Sequence, residues 1–262
     1  MSLPAPDANA TVVVTGASSG IGAELARELA RRGHHVTLVA RRGERLEELA
    51  RELGRADARP ADLATAAGRE EMLGVLRAAG RFVVGLCNNA GFGTFGRLWE
   101  LDADHEREMV ALNVVALHDL TLELLGPMVS HGTGAILNVG SLAGAQPLPG
   151  NATYAATKAF VNSFSEALHA ELKGSGVSCT LLTPGPVRTE FVEVADARDI
   201  EGRAPGFTWK SPQEVARQAV DGMERGRRVV APGAFTKVVG TSGRVTPRPL
   251  LLPLMKRVYK RP

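Results

Sequence analysis

The stretch from Ser141 to Lys158 reads SLAGAQPLPGNATYAATK and contains residue types suited to moving a proton. Tyr154 and Lys158 stand one helical turn apart, so a helix beginning near Asn151 stacks them on one face. Ser141 follows the apolar strand Ala135 to Gly140 and precedes a Gly/Pro-rich turn that folds back over that face. A hydroxyl, a phenol and an ammonium then converge. This trio suits proton transfer to a carbonyl oxygen. A phenol titrates near about 10 and is a poor base at neutral pH, but a fixed ammonium beside it favours the phenolate. Lowering that pKa by about three units takes roughly 4 kcal/mol, which a charge in a partly dry site supplies and one in water does not. Tyr154 is read as the general acid/base, Lys158 as its tuner and Ser141 as a donor to the substrate oxygen. Taken alone, YAATK is equally an ordinary stretch of helix surface; the rest of the chain decides.

The elements that must position the trio alternate strand and helix. Thr11 to Val14 is a β-branched run, followed by Thr15-Gly16-Ala17-Ser18-Ser19-Gly20-Ile21-Gly22 and a helix through about Arg32. Glycines between a strand and a helix allow a tight turn, close approach of a pyrophosphate and packing of the helix on the strand, with the positive helix end facing the phosphates. His35 to Ala40 is a second strand. It ends without an acid to bind a ribose hydroxyl and is followed by Arg41 and Arg42, whose guanidinium geometry matches a 2′-phosphate. NADP(H) is therefore favoured, with NAD(H) as the alternative.

Further on, a helix is expected from Glu44 to Leu53, a weak third strand from Arg55 to Pro60, and a helix from Ala67 to Ala79. Asp62 is read either as a ligand of the adenine amino group or as an N-cap. Phe82 to Cys87 is a fourth strand ending in Asn88-Asn89-Ala90-Gly91. A helix from Asp104 to Met128 carries Asn113 in an apolar register, either as a satisfied core residue or where the helix opens to hold a water. The YAATK helix runs to Lys173. Val177 to Leu182 is a sixth strand, ahead of Thr183-Pro184-Gly185-Pro186-Val187-Arg188-Thr189. Residues 190–210 read as a long binding loop. Pro212 to Arg225 is a helix capped by Ser211, and Arg228 to Ala231 a last strand. This order predicts an α/β fold: one doubly wound parallel sheet, Rossmann-like, in three α/β/α layers, with residues 1–262 as a single domain. Ligands of such sheets sit beyond the carboxyl ends of the strands, where the singled-out segments gather.

Composition sets bounds on partners. The 262 residues are 44% hydrophobic and 23% charged, with a net charge of +3, so there is material for one sizeable core and no case for nucleic acid. Cys87 and Cys179 lie in apolar runs without metal-ligand or disulfide spacing, so no metal site is expected. No apolar run approaches the ~18 residues of a membrane span, and residues 1–10 read as a loose Pro/Ala-rich start rather than a secretory signal. The default is a cytoplasmic protein.

TGASSGIG at 15–22, Asp62-Leu63, NNAG at 88–91, Asn113, Ser141, YAATK at 154–158 and PGPVRT at 184–189 together resemble the short-chain dehydrogenase/reductase family over nearly the whole chain. The resemblance is to its shorter, single-domain group. It implies a catalytic set of Ser141, Tyr154 and Lys158, with Asn113 completing a proton relay through water and Lys158 also bonding the nicotinamide ribose. It implies cofactor contacts from the glycine turn (Gly16, Ser18, Ser19, Gly20, Ile21, Gly22) and from Asp62 and Leu63 at the adenine. It further implies contacts from Asn89, Ala90 and Gly91, and from Pro184, Gly185, Val187 and Thr189 near the carboxamide. Arg41 matches the basic position of NADP-preferring members; some of these carry a basic residue where this chain has Ser18 or Ser19. Gly85-Leu86-Cys87 departs from the more β-branched strand that is common there. A homodimer or homotetramer is implied through the helices around 104–128 and 151–173.

The expected reaction interconverts a carbonyl and a secondary alcohol. Phe92, Phe95, Leu142, Leu148, Phe191, Phe207 and Trp209 are the expected site lining, which suits an apolar small-molecule or lipid-like substrate. The alternatives are a 3-oxoacyl thioester (acyl carrier) reductase and a non-catalytic NADP(H)-binding sensor. The basic, leucine-bearing tail from Pro247 is expected to pack on protein; membrane contact is not expected.

Overall fold

The computed structural model describes residues 3–191, 208–233, 236 and 246–258. In chain order the elements are β1 (Ala10–Thr15), α1 (Gly20–Arg31), β2 (Val36–Ala40), α2 (Gly43–Leu53), β3 (Ala56–Pro60), α3 (Ala66–Ala78) and β4 (Phe82–Asn88). Then come α4 (Ala103–Val110), α5 (Leu117–His131), β5 (Gly134–Val139), α6 (Ala152–Glu171), β6 (Val177–Leu182), α7 (Pro212–Glu224), β7 (Val229–Val230) and α8 (Arg248–Val258). The strands form one parallel sheet in the order β3-β2-β1-β4-β5-β6-β7, which reverses direction between β1 and β4. β1, β5 and β6 are buried along their whole length, as continuous apolar strands covered on both faces must be.

One face is covered by α1 and α7, whose Leu25, Leu29, Val215 and Val220 join Val12, Val14 and Leu137 in the core. The other is covered through Leu73, Leu76, Leu120, Met128 and Leu168 of α3, α5 and α6, packed on Val13, Leu86 and Ile136. The doubly wound, three-layer expectation therefore holds. On its outer side, Arg32 at the end of α1 ties to α7 through Asp221 at 2.6 Å and Glu224 at 2.5 Å.

Three expectations are corrected. Residues 1–10 are not all loose: Leu3 is buried in the core, and its N–H donates to Met223 O at 3.3 Å. Asp62 is not the cap of α3; Thr65 caps it, accepting from Gly68 N at 3.0 Å. The absence of a span-length apolar run does not carry over to the structure, because the helical path Ala103–His131 is long and apolar enough to cross a membrane. In the fold that helix flanks the sheet through Leu120 and Met128, and Asp119 pairs with Arg69 at 2.8 Å.

The last strand is shorter than expected, and β5 ends at Val139. Gly85 has a packing reason: β1 and β4 slip register between Thr11 and Val12, and a side chain at 85 would meet the Val12 methyl at 2.9 Å. Cys87 and Cys179 are buried free thiols, each pushed up by burial to about 12, and so chemically quiet.

Candidate active site

The glycine turn is held by the end of β4. Thr15 Oγ1 accepts from the N–H groups of Asn89 and Ala90, both at 3.0 Å. Asn89 Nδ2 donates back to Thr15 O at 2.9 Å and Gly16 O at 3.3 Å. Gly16 bends through φ +67°, and a Cβ on Gly22 would lie 2.2 Å from Gly16 O. Gly22 therefore seats α1 on the turn, and the Asn89 amide fixes the turn's shape. Ser19 precedes α1 without a side-chain cap, and the first turn holds no acid. Its orphan N–H groups and the positive helix end suit the phosphates of a dinucleotide.

The two arginines divide. Arg41 is 60% exposed and pairs with Glu108 at 2.7 Å. Arg42 turns to the glycine turn, donating through Nε and Nη2 to Ser18 Oγ at 3.0 and 2.9 Å and through Nη2 to Ser19 Oγ at 2.7 Å. A guanidinium thus reaches Ser18 and Ser19 of the glycine turn. Arg42 is the better placed of the two for a 2′-phosphate.

The proton-transfer trio is carried by α6 and the end of β5. Lys158 is buried, and its Nζ donates to Val139 O at 2.8 Å and lies 5.8 Å from the centre of the Tyr154 ring. Burial lowers its ammonium to about 8. Ser141 Oγ accepts from Ala143 N at 3.0 Å, folding the turn that follows β5. Asn162, one turn beyond Lys158, accepts from Ser141 N at 3.4 Å and donates to Ser141 O at 3.0 Å. This residue was missed from the sequence; its spacing from Tyr154 and Lys158 on one stripe was the available signal.

Asn113 sits where α4 widens into a π-helical turn, Ala111–Ala116, before α5. The helix does open there. The side chain is fully engaged: Oδ1 accepts from Phe92 N at 3.1 Å, and Nδ2 donates to Phe92 O at 2.9 Å and Thr157 Oγ1 at 3.1 Å. It joins the loop after β4 to α6. Thr157 in turn donates to Tyr154 O at 2.7 Å, so Asn113 reaches the phenol-bearing turn through one hydroxyl.

A cavity of about 720 Å³ runs along the carboxyl ends of the strands. Gly16, Ser18, Ser19, Gly20, Ile21, Arg41, Arg42, Asp62 and Leu63 line one end. Asn89, Ala90, Gly91, Ser141, Tyr154, Lys158, Pro184, Gly185, Val187 and Thr189 line the middle. Gly22 and Asn113 stand behind the wall. Phe92, Phe95, Leu142, Leu148, Phe191 and Trp209 also line it, with Met255 of α8, which accepts from Gln146 Nε2 at 3.2 Å. Phe207, most of the expected 190–210 loop, and Lys256, Arg257, Lys260 and Arg261 of the tail lie outside the described residues or side chains. Asp62 Oδ1 accepts from Ala64 N at 3.1 Å, shaping the turn after β3.

The family pattern described as short chain dehydrogenase matches residues 10–199. Sulfoacetaldehyde reductase of Chromohalobacter salexigens is 39% identical over 220 residues, covering 79% of this chain and 85% of that protein. A short-chain dehydrogenase from Sphingobium yanoikuyae, solved in complex with NADPH, is 34% identical, with a TM-score of 0.80 over 93% of this chain and 95% of that one. The bulky-bulky ketone specific alcohol dehydrogenase from Comamonas testosteroni is 30% identical, with a TM-score of 0.75 over 93% of each chain.

Proposed function

The chain belongs to the short-chain dehydrogenase family, whose members are oxidoreductases of CH–OH and C=O groups, and from that premise we propose that it is an NADP(H)-dependent enzyme interconverting a carbonyl and a secondary alcohol on an apolar substrate. The observation that carries this reading is the convergence of Ser141, Tyr154 and Lys158 with the glycine turn and Arg42 on the wall of one cavity. When bound, the nicotinamide cofactor supplies or accepts the hydride. The residues do the rest. Tyr154 passes a proton to or from the substrate oxygen, and Ser141 hydrogen-bonds that oxygen. Lys158, in its charged form, favours the Tyr154 phenolate. Asn113 sets the turn of α6 that carries them. The glycine turn and the open end of α1 take the pyrophosphate, and Arg42 takes the 2′-phosphate.

The aromatic and aliphatic lining of the cavity supports an apolar, bulky carbonyl compound, in the manner named for the Comamonas testosteroni relative. The reading extends to the whole chain as one cytoplasmic domain working as a homodimer or homotetramer. The test is a panel of ketones and aldehydes, followed by nicotinamide absorbance with NADPH and with NADH. Turnover of bulky ketones with NADPH preferred is the expected result. NADH preferred over NADPH would overturn the cofactor assignment, and turnover restricted to small charged carbonyls would overturn the substrate class.

A further inference from the structure

Glu190 joins two walls of the cofactor cleft. It follows Thr189, whose side chain covers Gly20: a Cβ there would be 3.2 Å from Thr189 Cβ. The Glu190 carboxylate accepts from Arg42 Nη1 at 2.9 Å and from Arg45 Nη1, on α2, at 2.7 Å. These two guanidiniums hold the Glu190 carboxyl below its ordinary range. Arg42 meanwhile stays on the hydroxyls of Ser18 and Ser19. Two guanidiniums therefore hold a single carboxylate at the mouth of the glycine turn, and one of them also donates to two hydroxyls. Their donor count and charge exceed what one carboxylate uses. A phosphate monoester brings about −1.5 to −2 charge and three acceptor oxygens, and so matches them better. The three ionic side chains are 40–48% exposed, so each pair is weak enough to exchange.

We propose that Glu190 is an internal competitor for the 2′-phosphate position, and that Arg45 is a specificity-determining residue there beside Arg42. A phosphate monoester entering between Arg42 and Arg45 displaces the Glu190 carboxylate, because two anions on the same guanidiniums repel. This inference rests on the NADP(H) reading and adds to it a residue that selects for the phosphate and one that opposes it.

The test titrates the full-length protein calorimetrically with adenosine 2′-monophosphate and adenosine 5′-monophosphate, using wild type, E190Q, R45A and R42A. E190Q is expected to bind the 2′-phosphate about fivefold more tightly and the 5′-phosphate unchanged. R45A is expected to weaken the 2′-phosphate alone by about threefold. An E190Q affinity that is unchanged, or that shifts equally for both nucleotides, overturns the competitor role. Unchanged binding in R45A removes that residue from the site. If wild type binds the 2′-phosphate no better than the 5′-phosphate, the NADP(H) reading itself fails; if R42A weakens 2′-phosphate binding while E190Q changes nothing, only the competitor role fails.

Discussion

Asn162 clasps Ser141 by both of its main-chain polar groups, through bonds of 3.4 Å to the N–H and 3.0 Å to the carbonyl. The side chain is 4% exposed and stands two turns beyond Tyr154 on α6. One helix therefore carries the phenol, the ammonium and the clasp that places the hydroxyl. Gly144 allows this closeness: a Cβ there would lie 2.4 Å from the Lys158 carbonyl carbon. Asn162→Ala is expected to destabilise the fold by about 1 kcal/mol, since it removes the partner of the part-buried Ser141 N–H, while the Ser141 carbonyl keeps the Gly144 N–H at 3.1 Å. It should also lower kcat about tenfold through misplacement of Ser141, with the Kd for NADPH unchanged. Denaturant midpoints, steady-state kinetics and calorimetry on one preparation separate these effects. An unchanged kcat in the destabilised variant would mean that Ser141 is placed without the clasp.

Tyr154→Phe removes the proton donor and leaves its supports. The Lys158–Val139 and Thr157–Tyr154 main-chain bonds do not involve the phenol oxygen. The ring contact with Phe191, 5.5 Å between centres, is likewise kept. NADPH should bind within about twofold of wild type, while kcat should fall by about 100-fold or more. Substantial residual turnover would take Tyr154 out of the acid/base role.

An apolar stripe crosses the outer side of α5 and α6. Val115 of the π-helical turn and Leu122 and Val129 of α5 recur every seven residues, and Phe160 on α6, 6.3 Å from the His118 ring, is stacked on Phe164 at 5.7 Å. Leu122 is 59% exposed in the single chain. An exposed apolar stripe on paired helices suits a second copy of the same face. Leu122→Asp is expected to shift the protein to a smaller species in sedimentation, with the fold's circular dichroism unchanged. Sedimentation identical to wild type would place the subunit contact elsewhere.

How much of this was legible in the sequence follows from the range of each interaction. Strands, helix starts and the glycine turn were legible because their causes are local: β-branched runs, Ser211 before Pro212, glycines between a strand and a helix. The residues around the cavity could be grouped because a parallel sheet sends the carboxyl ends of its strands to one side. Asn162, Arg45 and Glu190 were not legible, since each matters only through a partner far away in sequence, and Asn, Arg and Glu on helices or loops are ordinary surface residues. Arg41 and Arg42 were legible as a pair but not separately. Which one faces the glycine turn depends on Glu108, itself brought near by a different helix. Leu3 was hidden for a related reason: a Pro/Ala-rich start looks loose until α7 is present to receive it.

The pH dependence of stability tests the burial of Lys158. Its ammonium is lowered from 10.5 to about 8 by desolvation, whereas in the unfolded chain it stays charged to about 10.4. Between those values the unfolded state binds more protons than the folded one, so the unfolding free energy rises with pH across that window. Below about 8 both states carry the charge, and the penalty for burying it is fully present. As pH rises through the window the folded protein sheds the proton and recovers about 3 kcal/mol. Lys158→Met abolishes this term and leaves Val139 O without its donor, an offset that does not vary with pH. The difference in urea midpoint between wild type and variant is therefore expected to move in favour of wild type from about pH 8 to about pH 10. A difference that is flat across that range would show that Lys158 titrates near its ordinary value. The ammonium that weakens the fold below about 8 is the same charge that favours the Tyr154 phenolate. The fold thus yields stability in the pH range where proton transfer needs the cation.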